Sequence, residues 1–248
     1  KVKLRILMAI VYGVFFRLVA LSFFIYIVYY THQLFHGGEP FYFKNLALLL
    51  RFLTILTILL QVIYYALATP LQYFKKLQMH SALYTLSFTA NLIVCIMFWA
   101  LFIIDKNLLV DESELKLVPW WYIHACHTVG TPAIIFDGIL WKPINVPMQN
   151  AILLSLIYFG GYIIYVEYLI HVQKLYPYPI LAAFSDVGRL GFYLVTFVGT
   201  ALCFGICVWM VRTLNQTHRK HFAQKTQRVE KKEAISVQNK QKKSRKVE

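Results

Sequence analysis

The sequence predicts an all-α integral membrane protein, a bundle of about six transmembrane helices, and three observations point there. Six apolar stretches reach or exceed the roughly 20 residues that a helix needs to cross a bilayer core. Charged residues make up only 15% of the 248-residue chain, against roughly 25% in soluble domains. The charge that is present is segregated: residues 212–248 hold 12 of the 25 Lys and Arg but only 3 of the 11 Asp and Glu.

The stretches are Leu4–Tyr30, Leu46–Thr69, Ser81–Ile104, Pro119–Trp141, Gln149–His171 and Gly188–Val211. Backbone polar groups inside hydrocarbon must be satisfied within their own segment, so helices are expected. The first stretch exceeds the about 7–15 apolar residues of a cleaved signal and lacks a small-x-small cleavage site, so it is expected to stay as a span. The fourth is the most interrupted, carrying His124, His127, Pro132 and Asp137. Trp120 and Trp121 open it, as an interfacial aromatic belt would.

Orientation follows from Lys and Arg near the span ends. Lys1, Lys3 and Arg5 precede the first span, Lys75 and Lys76 follow the second, and twelve basic residues follow the sixth. The first loop has only Lys44, and in the third Lys106 and Lys116 are outnumbered by acids. Both termini are therefore expected in the cytosol, with the protein in the endoplasmic reticulum or other endomembranes, or in the plasma membrane. Two domains are expected: a six-span membrane domain over residues 1–211 and a disordered basic cytosolic tail over 212–248. The tail is too poor in apolar residues to fold alone, and its charge suits the anionic leaflet. Because the basicity belongs to that tail, it argues for a membrane surface and against nucleic acid as a partner.

Cys95, Cys126, Cys203 and Cys207 all fall in apolar stretches and are expected to pack rather than pair. No Cys/His cluster has metal spacing, so neither a metal nor a cofactor is expected.

Ionisable residues within spans are costly and are functional candidates by default. Here they are Arg17, Arg51, His124, His127, Asp137, Glu167 and His171. Glu167 and His171 stand at i, i+4 and are expected to pair. Arg17 has a stem long enough to snorkel or to bond a neighbouring helix. His124 and His127 share a helix face without a third ligand beside them. Thr54 stands about nine residues into its stretch and His127 about eight into its own, so both lie roughly 12–14 Å deep. The second and fourth spans run in the same direction, so the two side chains share that depth in either orientation.

At these residues the sequence resembles the androgen-induced family of membrane proteins. The resemblance rests on four elements in order. They are Arg51-Phe52-Leu53-Thr54 with Leu59-Leu60-Gln61; Phe98-Trp99 with Asp105-Lys106; Trp121-Tyr122-Ile123-His124-Ala125-Cys126-His127-Thr128 with Pro132; and Gly161-Tyr162-Ile163 with Tyr178-Pro179. The chain departs from the family in having Ile123 where Asn is frequent, Gly130-Thr131 before the proline, and a longer, more basic tail.

The resemblance implies hydrolysis of fatty acid esters of hydroxy fatty acids, with a Thr and a His as the catalytic pair. Those roles fall on Thr54 and His127. Thr57, one turn on, is the competing nucleophile, and alignment on Gln61 favours Thr54. An imidazole that takes the hydroxyl proton makes threonine a usable nucleophile, and attack on the ester would leave an acyl-threonine for water to cleave. Arg51 and His124 are the candidate substrate-binding residues, Arg51 because a guanidinium grips a carboxylate bidentately. The oxyanion donor is open between the Thr128 hydroxyl and a backbone N–H near Pro132. The expected partner is a branched fatty acid ester within the bilayer. Two other classes compete: a non-catalytic lipid-binding or regulatory membrane protein, and a small channel or transporter. The last would favour internal repeats or paired broken helices, which the sequence lacks.

Overall fold

In a computed structural model the backbone is described for residues 2–37, 48–110, 115–116, 118–141 and 148–244. Side chains are described for those between 10 and 216, His36 excepted. Lys1 and Lys44, used above for orientation, lie outside these residues. Every regular element among the described residues is helical: α1 (Val2–His36), α2 (Leu53–Tyr73), α3 (Leu77–Asp105), α4 (Trp120–His127), α5 (Gly130–Trp141), α6 (Met148–Ser155), α7 (Gly161–Gln173), the short α8 (Pro179–Ala183) and α9 (Asp186–Ser244). A 3₁₀ turn, Lys106–Leu108, follows α3, and a π-helical turn, Leu156–Gly160, joins α6 to α7. Five helices are long and apolar enough to cross a membrane: Ile10–Phe35, Leu53–Tyr73, Leu77–Leu108, Met148–Gln173 and Asp186–Gln216. The protein is an all-α, multi-pass membrane bundle.

The fourth expected span is not one helix but two, α4 and α5, meeting at Thr128-Val129. Pro132 is the cause. It has no N–H to give the carbonyl of Thr128, and its ring crowds that carbonyl, so the ladder stops there. The chain restarts with Ala133 N–H donating to Val129 O at 3.1 Å.

The second span also differs from the sequence reading. Its helix starts at Leu53, not Leu46, which puts Thr54 in the first turn rather than nine residues into a helix. Phe52 stands at the N-cap with an extended backbone and no side-chain cap, so the first amides of α2 need partners from elsewhere. At its other end α2 closes with Lys75 in the left-handed region (φ 57°) and Lys76 N–H donating to Leu71 O at 2.8 Å. That tight cap turns the chain directly into α3.

The last span runs on as helix to Ser244, through the segment expected to be disordered. Its Lys, Arg, Gln and Glu content explains how: these are good helix formers, and a backbone helix needs no buried face to form.

Two polar locks tie the spans together. In the first, Arg17 of α1 bonds Asp137 of α5 through Nε–Oδ1 (2.7 Å) and Nη2–Oδ2 (2.9 Å). Arg17 also donates to Gln72 Oε1 at 2.7 Å and meets His80 Nε2 at 3.2 Å, while Tyr64 OH donates to Asp137 Oδ2. Arg17 thus bonds a neighbouring helix rather than snorkelling. Four helices converge there, beside the α2–α3 turn. Glycines allow the approach: a Cβ at Gly13 would lie 2.6 Å from the Trp141 ring, and one at Gly138 would overlap the Tyr84 hydroxyl. In the second lock, Glu167 and His171 pair at 3.1 Å, as their spacing predicts. Arg189 of α9 joins them, bonding Glu167 through both carboxylate oxygens (3.1 and 3.3 Å), and Tyr193 OH donates to Glu167 Oε1 at 2.6 Å.

Candidate active site

At the end of the bundle away from the α2–α3 turn, the helices enclose a cavity of about 750 Å³. Its wall is apolar almost throughout, and the start of α2, α4, the π-helical turn and α9 all contribute to it. That volume sits within the range of small-molecule sites. Among the few polar side chains on the wall are Arg51, Thr54, His127 and Tyr178.

Thr54 and His127, paired above through the resemblance, meet here: Thr54 Oγ1 lies 3.5 Å from His127 Nδ1. They come together at two helix ends, since Thr54 is in the first turn of α2 and His127 is the last residue of α4. The break forced by Pro132 follows immediately after His127, so the imidazole sits where one helix stops. A separation of 3.5 Å is loose for a hydrogen bond and typical of catalytic pairs before substrate tightens them. Thr57 does not share this approach. It is buried, and its hydroxyl meets Tyr158 OH at 3.0 Å instead of His127.

No carboxylate among the described residues bonds His127. Asp137 is held by Arg17 and Tyr64 at the other end of the bundle. The ring is instead oriented by stacking on Phe98, with centroids 3.5 Å apart and planes within 4°. Gln61, the family landmark, reaches the carbonyl of Gly130 at 3.5 Å, and a Cβ at Gly130 would overlap Asn91 Oδ1. These contacts hold the α4–α5 break, and with it His127, against α2 and α3.

His124 does not reach the cavity. It lies between Trp99 and Trp120, with ring centroids 5.0 and 5.1 Å away, and bonds Thr128 Oγ1 at 3.2 Å. It is thus off the wall where a substrate contact was expected; the three-residue step back from His127 falls short of a full turn by about 60° and points it at α3. Thr128 is turned the same way: its hydroxyl accepts from Trp99 Nε1 at 3.0 Å, and the residue is not on the cavity wall where an oxyanion donor would stand.

The residues that sequence reasoning left without a role are two tyrosines. Leu53 N–H, an orphan first amide of α2, donates to Tyr162 OH (3.1 Å) and Tyr178 OH (3.0 Å). Tyr162 OH in turn donates to Arg51 O at 2.8 Å. The Tyr178 hydroxyl also faces the hydroxyl and backbone N–H of Thr54. Burial raises the Tyr178 pKa above the ordinary tyrosine value, so it stays protonated and able to donate. Both tyrosines stand in the motif Gly161-Tyr162-Ile163…Tyr178-Pro179; the motif was the signal, and only the fold supplies the role. Arg51 lies on the same wall with its guanidinium over the Phe52 ring, 4.8 Å from the centroid.

Comparison with known proteins bears on this arrangement. The family model for FAR-17a/AIG1-like protein matches residues 12–212, which spans every helix that builds the cavity. The chain is 25% identical to the androgen-dependent TFPI-regulating protein of Rattus norvegicus over 205 residues, covering 75% of this chain and 86% of that one. The human protein of the same name is 25% identical over 74% of this chain and 84% of its own. The human androgen-induced gene 1 protein is 25% identical over 44% of this chain and 45% of its own. No solved structure matches. With four-fifths of its length inside the family model, the chain belongs to the FAR-17a/AIG1-like protein family.

Proposed function

We propose that the chain is an intramembrane lipid esterase that hydrolyses fatty acid esters of hydroxy fatty acids, with Thr54 as nucleophile and His127 as general base. The observation that carries the reading is the approach of Thr54 Oγ1 to His127 Nδ1 on the wall of an apolar cavity. A core residue has no need of a hydroxyl and an imidazole facing a lipid-sized void; an ester cleaved out of bulk water does.

In the first half-reaction Nδ1 takes the Thr54 proton as Oγ1 adds to the ester carbonyl. The tetrahedral oxyanion collapses, breaking the bond to the alkoxy oxygen. The departing alkoxide takes the proton from His127 and leaves as the hydroxyl of the hydroxy fatty acid. The acyl group stays on Thr54. In the second half, His127 deprotonates a water that attacks the acyl-threonine carbonyl, and collapse returns the proton to Oγ1 and releases the fatty acid. This requires the His127 tautomer with its proton on Nε2. The Tyr178 hydroxyl accepts from Leu53 N–H and keeps its own proton for the oxyanion, and the partial positive charge at the start of α2 adds to that stabilisation.

Lys and Arg asymmetry puts both termini in the cytosol, so the cavity end faces the lumen or the exterior, with the basic tail against the anionic leaflet. Purified protein in detergent should release fatty acid from a branched fatty ester. Thr54→Ala and His127→Ala should each abolish release at normal expression, the double variant should be no worse than either, and Thr57→Ala should stay active. Full activity in Thr54→Ala would remove the nucleophile from the scheme. Lipid binding without hydrolysis in the wild type would identify a carrier or regulator built on the same cavity.

A further inference from the structure

Among the described residues, Arg17, Arg51 and Arg189 are the arginines at least partly buried in the bundle, and two of them are fully matched. Arg17 holds Asp137, and Arg189 holds Glu167 and Asp186. Arg51 is the exception. Its guanidinium has no hydrogen bond or ion pair among the described residues, and its Nε is buried with no acceptor. Arg51 is half-buried, so its charge is less screened than in open water and attracts an anion, and it lies on the wall of the cavity that holds Thr54 and His127.

Its position is built rather than incidental. The Tyr162 hydroxyl fixes the Arg51 carbonyl from α7, and the adjoining Leu53 N–H is fixed by Tyr162 and Tyr178. The Phe52 ring supports the guanidinium plane from one side. What remains open is the Nη1/Nη2 end of the guanidinium, since Nε is covered, and that end matches in shape a planar anion of two oxygens. The N-terminus of α2 follows at once and adds positive potential.

We propose that Arg51 is the anion subsite of this cavity: it binds a lipid carboxylate bidentately and sets which end of an acyl chain lies beside Thr54. The neighbouring wall is apolar, so the ligand is amphiphilic, a carboxylate with a long chain. Arg51 and Thr54 are only three residues apart, so a lipid gripped by its head presents an internal carbonyl to the hydroxyl. The subsite takes the esterase reading as its setting, and a binding arm keeps the two separable. The carboxylate belongs either to the intact ester substrate or to the released fatty acid, and the hydrolysis arm tells which.

In the binding arm, Thr54→Ala protein in detergent is titrated with oleate and with methyl oleate at pH 8. The acid should bind about 10–100-fold more tightly than the methyl ester, as a charge-assisted pair predicts. Adding Arg51→Gln should erase that preference, and Arg51→Lys should keep part of it, with all proteins monodisperse on size exclusion. Equal binding of acid and methyl ester by the Arg51 protein, or an unchanged preference in Arg51→Gln, overturns the subsite whether or not the protein hydrolyses esters. In the hydrolysis arm, the ratio of kcat/KM for a free-acid branched ester over its methyl ester is measured with Thr54 intact. A ratio that falls in Arg51→Gln assigns the substrate carboxylate. An unchanged ratio with lost inhibition by oleate assigns the product carboxylate. A change in neither overturns the proposal. Absent hydrolysis with the binding preference intact leaves the subsite standing and overturns the esterase instead.

Discussion

Replacing Asp137 by Leu tests how much of the bundle hangs on its buried ion pair. Arg17 and Asp137 side chains are each 1% exposed, and the carboxylate accepts two guanidinium N–H groups and the Tyr64 hydroxyl. Without it, Arg17 keeps Gln72 and His80 but no counter-charge, and Tyr64 loses its acceptor. Breaking a buried pair from one side costs about 3–5 kcal/mol. At about 2–4 °C per kcal/mol for a chain of this size, melting should fall by roughly 6–20 °C. Arg17→Met should cost a similar amount. The Arg17→Met/Asp137→Leu double variant leaves no lone charge at this lock and should cost clearly less than the two singles together. The assay is apparent melting in one detergent at one scan rate, followed by intrinsic fluorescence. An Asp137→Leu protein melting within about 2 °C of wild type, or a double variant equal to the sum of the singles, would show that the pair is not the element holding these four helices.

Three further outcomes follow from the site and the spans. Tyr178→Phe removes the hydroxyl beside Thr54 while keeping the ring, and kcat for ester hydrolysis should drop about 10²–10³-fold with KM little changed; unaltered kcat would take the oxyanion role from Tyr178. Gly130→Ala forces a Cβ against Asn91 Oδ1 and should shift the α4–α5 break that carries His127. Hydrolysis should then fall by about 10²-fold in protein that still inserts, as a displacement near 1 Å would cause, and an active, well-folded variant would show that the break has slack. A glycosylation acceptor inserted between Lys106 and Lys116 should be modified and one between Phe74 and Leu77 should not; the reverse pattern would turn the cavity toward the cytosol.

The sequence alone located the apolar segments and the weakest among them. Hydrophobic length is a sum over neighbouring residues, so the long helices and the Pro132 interruption were legible without coordinates, although six spans were expected and five helices among the described residues are long enough to cross. So was the Glu167–His171 pair, because i, i+4 spacing is local. Resemblance, not periodicity, singled out Thr54 and His127. The tertiary structure decided the rest. It started α2 at Leu53, turned His124 and Thr128 into the Trp99 contact, and brought Tyr162 and Tyr178 onto the Leu53 amide from more than 100 residues away. It also gave Asp137 to Arg17, joined Arg189 to Glu167, and left Arg51 without a counter-ion among the described residues. The physical reason is that transfer energy depends on what a residue is, whereas a hydrogen bond depends on how each helix is rotated and where it crosses its neighbours. Only the packed bundle fixes those angles.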